Sequence, residues 1–240
     1  MTAPSRAARL RAKLPAIARR ARRWLLLVLA VLVVGPFVLI LPLNVVQPAT
    51  TMVLLRRAVQ RTIAGKTPRY PRREIVSRNA ISPHLRRAVL ASEDDRFYLH
   101  WGFDIAEIQN ALERARRGRR LRGASTITQQ VAKNLFLWEG RSFVRKGYEA
   151  YLTLVLELCL PKDRILDLYL NLAEWGDGVF GAEMAARTHF KKSARALTRD
   201  EAALLAAVLP SPVRWSPHGA VATRRSALIV EKMRYAAPRI

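Results

Sequence analysis

Three carboxylates stand in a row in the segment ASEDDRFYLHWGFD, residues 91–104: Glu93, Asp94 and Asp95, with Phe97, Tyr98, His100, Trp101 and Phe103 close behind. Glu93 falls at the expected C-terminal end of a helix that starts near Ser82. A negative charge is disfavoured there by the helix dipole and again by the acidic neighbours, so its pKa should rise. A carboxylate held near neutrality suits general acid or base catalysis. The plainer alternative is a solvated acidic turn paired with Arg96. Against it stand the aromatic neighbours, which imply that the turn packs into something.

A second constellation is GASTITQQVAKNLFL. On a helical wheel Thr126, Gln130, Lys133 and Leu137 share one stripe with Asn134 beside it, and Ile127, Val131, Leu135 and Trp138 form a separate apolar stripe. Hydroxyl, amide and ammonium groups of this kind can hold sugar hydroxyls and phosphate. A polar face satisfied by a neighbouring helix fits the segment taken alone equally well. In RKGYEAYLTLVLEL, Arg145 and Glu149 are four apart on one face. They read either as a surface pair of about 0.3 kcal/mol, or as a cation for phosphate with an acid for a metal or a hydroxyl.

The remaining chemistry narrows quickly. The four histidines lack zinc-ligand spacing, and neither a phosphate-binding glycine loop nor a serine nucleophile elbow occurs. Cys159 is the single cysteine, so no internal disulfide forms, and it reads as a packed thiol. The run from Arg114 to Arg122 straddles Gly118 and reads as a basic mobile loop, either solvated or sensing anionic headgroups.

These groups need elements to position them. The chain has 240 residues, 42 Lys and Arg against 18 Asp and Glu, and a formal charge of +24, which calls for an anionic partner. Residues 1–23 hold eight basic side chains and no acid, and residues 24–55 hold no charge at all. The apolar run is long enough for the roughly 20 residues that cross a bilayer, and the basic flank keeps its start in the cytoplasm. The competing readings are a cleaved signal peptide, whose apolar core would be shorter, and a buried core helix. Pro36, Pro42 and Pro48 suggest an early end to regular helix. Residues 50–79 show no strong period and read as a membrane-proximal connector. Capping signals then mark helices at Ser82–Pro83, at Asp104 with Glu107, and at Thr198 with Glu201, with further helices at STITQQVAKNLFL, FVRKGYEAYLTLVLELCL and PKDRILDLYLNLAEW. No convincing β-hairpin stands out. The expected architecture is mainly α: a basic tail 1–23, a transmembrane helix 24–46, a connector 47–79 and a helical domain 80–240.

The combination of EDDRFYLHWGFD, GASTITQQVAKNLFL, RKGYE, ILDLYLNLAEWGDGVFGAEMAARTHF and LTRDEAALLAAVLPSP, in this order over residues 81–212, resembles the peptidoglycan glycosyltransferases. Within them it is similar to the monofunctional biosynthetic type, which lacks a penicillin-binding transpeptidase domain. The resemblance implies a lysozyme-like helical fold in the inner membrane, single-pass, with the catalytic domain outside the cytoplasm. It implies polymerisation of lipid II into glycan strands, with the growing strand, membrane lipids and cell-wall synthesis or division proteins as partners, and no nucleic acid. By that likeness Glu93 matches the general base and Glu149 the second acid, a ligand or supporter of a divalent metal, Mg or Mn. Lys133 and Arg145 match cations at the pyrophosphate, and Asp94, Phe97, His100, Thr126, Gln130 and Asn134 match other positions of the cleft. Ala124 stands where the family often has glycine, and Gly147 should weaken its helix by up to about 1 kcal/mol. Two rivals remain, a lytic enzyme of the same fold and a membrane-tethered binder of anionic polymer.

Overall fold

The computed structural model describes residues 6–65, 72–118, 125–138, 140 and 142–235. Arg119, Arg120 and Arg122 of the basic run lie outside them. The described chain is mainly helical: α1 (Arg6–Ile40), α2 (Met52–Ile63), α3 (Pro83–Glu93), α4 (Ile105–Arg116), α5 (Ile127–Phe136), α6 (Phe143–Cys159), α7 (Lys162–Leu172), α8 (Ala182–Phe190), α9 (Arg199–Val208) and α10 (Ala220–Lys232).

The start signals act as the sequence predicts. Ser82 accepts from the His84 amide at 3.2 Å with Pro83 at the first helical position, and Thr198 and Glu201 close a reciprocal capping box on α9. Asp104 caps α4 by accepting from the Glu107 amide at 3.0 Å, whereas the Glu107 carboxylate turns outward to Arg114. One apolar core joins α3 to α9 and α10 on one side and α5 to α6 and α7 on the other, with Phe97, Tyr169 and Trp175 among its largest members.

Three expectations change. The GDG stretch is a hairpin after all: β2 (Glu174–Gly176) pairs antiparallel with β3 (Val179–Phe180) across a two-residue Asp177-Gly178 turn, with Gly178 at φ +70°. Asp-Gly between apolar residues is a strong hairpin signal, but strands of two or three residues show no alternation to accompany it. The stretch read as a connector is also structured. α2 is capped by Thr51, and β1 (Arg72–Arg73) joins the sheet parallel to β3, giving the order β1-β3-β2.

The apolar span runs over Ala18–Asn44, long and apolar enough to cross a membrane and mostly exposed, as befits a single-pass anchor rather than a core helix. Pro36 does not end it. α-Helix continues to Ile40 and passes into a 3-10 turn, Leu41–Asn44. A proline at 36 leaves the Leu32 carbonyl without its helical donor. That carbonyl accepts from the Tyr148 hydroxyl of α6 at 3.4 Å, and the next one, Val33, accepts from Tyr151. Farther along, Asn44 donates to the Cys159 carbonyl at 2.9 Å, and Arg164 donates to the carbonyls of Leu43 and Val46. The apolar helix and the 3-10 turn after it are thereby fixed to α6, the helix that carries Arg145 and Glu149, and to the start of α7. Changing Tyr148 and Tyr151 together to Phe should lower stability in detergent by about 1 kcal/mol. The loss should shrink in a Pro36→Ala background, where Leu32 regains a donor; a double-mutant cycle of chemical unfolding reads the difference.

Candidate active site

Glu93 ends α3 with its carboxylate only partly exposed. Gln130 of α5 donates its amide to one oxygen at 2.9 Å, and Ser92 donates to the other at 3.3 Å. Burial raises the pKa of Glu93 above the ordinary glutamate value, and the bonds from Gln130 and Ser92 and the charges of Arg225 and Lys133 oppose it without cancelling it. The direction is the one the sequence suggests, but the cause differs. The acidic neighbours point elsewhere: Asp94 turns inward, and Asp95 is exposed, 3.9 Å from Lys232. The orientation of Gln130 is fixed from behind. The buried hydroxyl of Tyr169 donates to its amide oxygen at 3.3 Å, so the NH2 end faces Glu93.

Asp94, Phe97, His100 and Thr126 assemble a support for this corner. Asp94 accepts from the His100 ring at 2.8 Å with one oxygen and from the Ile127 amide at 2.9 Å with the other. Thr126 caps α5 in a reciprocal box with Gln129 and donates to the Gly102 carbonyl at 2.6 Å. Phe97 is 1 % exposed, with the Lys162 ammonium 4.5 Å from its ring centre. The segment after Glu93 is thus sewn to the start of α5, which keeps Glu93 and Gln130 in register. Gly102, whose carbonyl takes the Thr126 bond, also packs tightly against α6. Its φ is +74°, and a Cβ there would stand 2.6 Å from the Thr153 methyl. Gly102→Ala should therefore destabilise the domain by about 2 kcal/mol or more, with a lower midpoint in chemical denaturation as the measure.

A cavity of about 340 Å³ opens beside Gln130. Gln130, Lys133 and Asn134 line it from one face of α5, Arg145 from α6 and Tyr169 from α7. Val53 and Arg56 of α2, Trp138, Glu174 and the segment Leu209, Pro210 and Pro212 complete the wall. Glu93 and Glu149 are each one hydrogen bond from a residue of that wall, Glu93 from Gln130 and Glu149 from Arg145, both at 2.9 Å. Protein surrounding Lys133 lowers its pKa, as do the charges of Arg56, Arg145 and Lys146, while Glu149 acts in the opposite sense. Cations crowded this way favour an incoming anion.

Glu149 is 3 % exposed, and its two oxygens are taken by Arg145 and Lys146. The resemblance puts a divalent metal at this carboxylate. A ligand needs an open oxygen, and both of these already face cations, so the residues as placed do not fit a protein-held ion there. Among the described residues the one trio of potential ligands is Asp94, His100 and Asp104. Both Asp94 oxygens are engaged, one by the Ile127 amide and one by His100 Nε2, so as placed this trio does not fit either.

Of the residues singled out in the sequence, Gln130, Lys133, Asn134 and Arg145 meet in the cavity wall, and the other six are not among the residues that line it. Arg56, Trp138, Tyr169 and Glu174 were not foreseen. Tyr169 looks like ordinary core in LYLNL, and Glu174 is held by Arg57 at 2.7 Å, a pairing that only the fold reveals.

The family model described as Transglycosylase matches residues 60–234. A protein of Pseudomonas putida strain W619 named biosynthetic peptidoglycan transglycosylase is 51 % identical over 198 residues, 82 % of this chain and 81 % of its own. Proteins with the same name are 49 % identical in P. putida strain GB-1, over 91 % of this chain and 89 % of theirs, and 50 % identical in Shigella sonnei strain Ss046, over 85 % and 86 %.

Proposed function

Since the chain belongs to the peptidoglycan transglycosylase family, glycosyltransferases with a helical catalytic domain, we propose that it polymerises lipid II into glycan strands with Glu93 as the base. The observation that supports this most is the spacing along α5. Gln130, which holds Glu93, and Lys133, which shares the cavity with Arg145, are three residues apart on one face of α5, so the residue that holds the base and the first cation are about 4.5 Å apart along the helix axis.

In this reading the acceptor's GlcNAc 4-hydroxyl gives its proton to Glu93, and its oxygen attacks C1 of the donor MurNAc from the side opposite the leaving group. The C1–O bond to the pyrophosphate breaks, its electrons stay on the pyrophosphate, and the configuration at C1 inverts. Lys133 and Arg145 meet the charge that builds there. Burial keeps the Glu93 carboxyl basic enough to accept the proton, and its amide contact with Gln130 leaves lone pairs for the substrate. One carboxylate suffices because the pyrophosphate leaves as a stabilised anion, whereas a glycosidase must protonate a poor sugar leaving group with a second acid. Glu149 holds Arg145 in place. Asp94, Phe97, His100 and Thr126 act as positioning residues, and Asn134 lines the path of the sugar.

The anchor fits the same scheme. Both substrates carry lipid tails, so a single pass with the basic N-terminus in the cytoplasm puts the cavity against the outer face of the inner membrane. A lytic reading is weaker because an uncharged glycan backbone offers nothing for the crowded cations. The test is stoichiometry with labelled lipid II and the full chain in detergent. One undecaprenyl pyrophosphate should be released per disaccharide added, with inversion at C1. Retention at C1, or consumption of lipid II without pyrophosphate release, would overturn the reading.

A further inference from the structure

α2 begins before the family match at residue 60, and none of the sequence motifs touches it. Its faces are nevertheless sharply divided. Val53 and Leu54 are buried with Phe180 of β3. Arg57 and Arg61 reach the hairpin, Arg57 binding Glu174 at 2.7 Å and Arg61 lying 3.9 Å from Asp177. Leu55, Val59 and Ile63 repeat every fourth residue on the opposite side, 46 %, 57 % and 81 % exposed. Arg56 follows the inward face of Val53, and both side chains line the cavity that holds Lys133 and Arg145.

We propose that Arg56 is a third cation of the diphosphate subsite, delivered by α2 from the anchor side of the cavity. This rests on the polymerase reading of the same site but adds a residue from outside the motifs. The charges around the cavity favour it. Arg56 shares the cavity wall with Lys133 and Arg145, close enough to Lys133 that its charge helps to lower the lysine's pKa. A dianionic diphosphate between Arg56 and Lys133 would relieve the repulsion that Arg56 exerts on Lys133. Arginine suits this place, since its planar fork can grip two phosphate oxygens at once. The helix bearing it starts a few residues beyond the Ala18–Asn44 span, where a lipid-linked diphosphate would lie.

Calorimetric binding of inorganic pyrophosphate to the full chain in detergent tests the subsite independently of turnover. Arg56→Ala should weaken binding about tenfold, the equivalent of about 1.4 kcal/mol, and Arg56→Lys should recover most of it, with the unfolding midpoint unchanged in both. kcat/KM for lipid II should fall in parallel. Equal pyrophosphate affinity in wild type and Arg56→Ala, or no binding by wild type, overturns the proposal, as does a loss matched by a lowered unfolding midpoint and not recovered by lysine. If pyrophosphate binding depends on Arg56 while the wild type leaves lipid II untouched, the subsite stands and the polymerase reading falls.

Discussion

Glu93→Gln should abolish measurable polymerisation, a fall of about 10²–10⁴-fold in kcat, while the protein folds at least as well as the wild type. The two halves of this expectation have one cause. Burial raises the pKa of Glu93, so folding favours its protonated form. The group then contributes most to stability at low pH, and the contribution is lost as pH rises from the ordinary glutamate range through the raised folded value. At neutral pH the ionised side chain is a cost of folding that a neutral amide avoids, and the glutamine oxygen can still accept from Gln130. The unfolding midpoint of Glu93→Gln at pH 7 should equal or exceed that of the wild type, and the difference should close in acid. The acid limb of kcat/KM in the wild type should likewise lie above the usual glutamate range. A destabilised variant at pH 7 would show that Glu93 is a structural acid.

The second large effect should come from Glu149→Gln. Its carboxylate is buried against Arg145, itself 13 % exposed in its side chain, and against Lys146. Removing the charge leaves a mostly buried guanidinium without its anion, which should destabilise the domain by about 3 kcal/mol. It also frees Arg145 to swing from the cavity. kcat/KM should fall about tenfold to a hundredfold, as expected when charge-assisted contacts of about 1.5–3 kcal/mol are misplaced. Arg145→Lys should not restore the geometry of this pair, because an ammonium cannot replace a planar fork that faces carboxylate and ligand together. Wild-type kcat/KM in Glu149→Gln would remove the acid from the account.

How far the sequence discloses this site depends on whether a residue acts locally. Helix starts at Ser82, Asp104 and Thr198 are legible because a cap and the amide it satisfies lie within three residues. The polar face of α5 is legible for the same reason, since Gln130, Lys133 and Asn134 share a face by helical period alone. Thr126 fits that period too, yet it caps the helix and bonds Gly102, because a residue at the boundary no longer follows the wheel. Partners distant in sequence leave no such trace. Nothing near Glu93 shows that Tyr169 orients Gln130, or that the Glu93 pKa is raised by burial and not by Asp94 and Asp95. The missed helix α2 did carry a signal, Thr51 followed by apolar residues at every fourth position, but its arginines obscured it. Pro36 shows the converse. The local rule predicts a helix end, and two tyrosines more than a hundred residues away supply hydroxyls at the carbonyls beside it.

The most direct measurement places wild type and Glu93→Gln, each as the full chain in detergent, with labelled lipid II and separately with preformed glycan strands, and resolves the products by length. The account predicts long glycan from lipid II with the wild type, none with Glu93→Gln, and preformed strands left intact by both. Shortening of the preformed strands by the wild type, or equal polymer from both proteins, would contradict it.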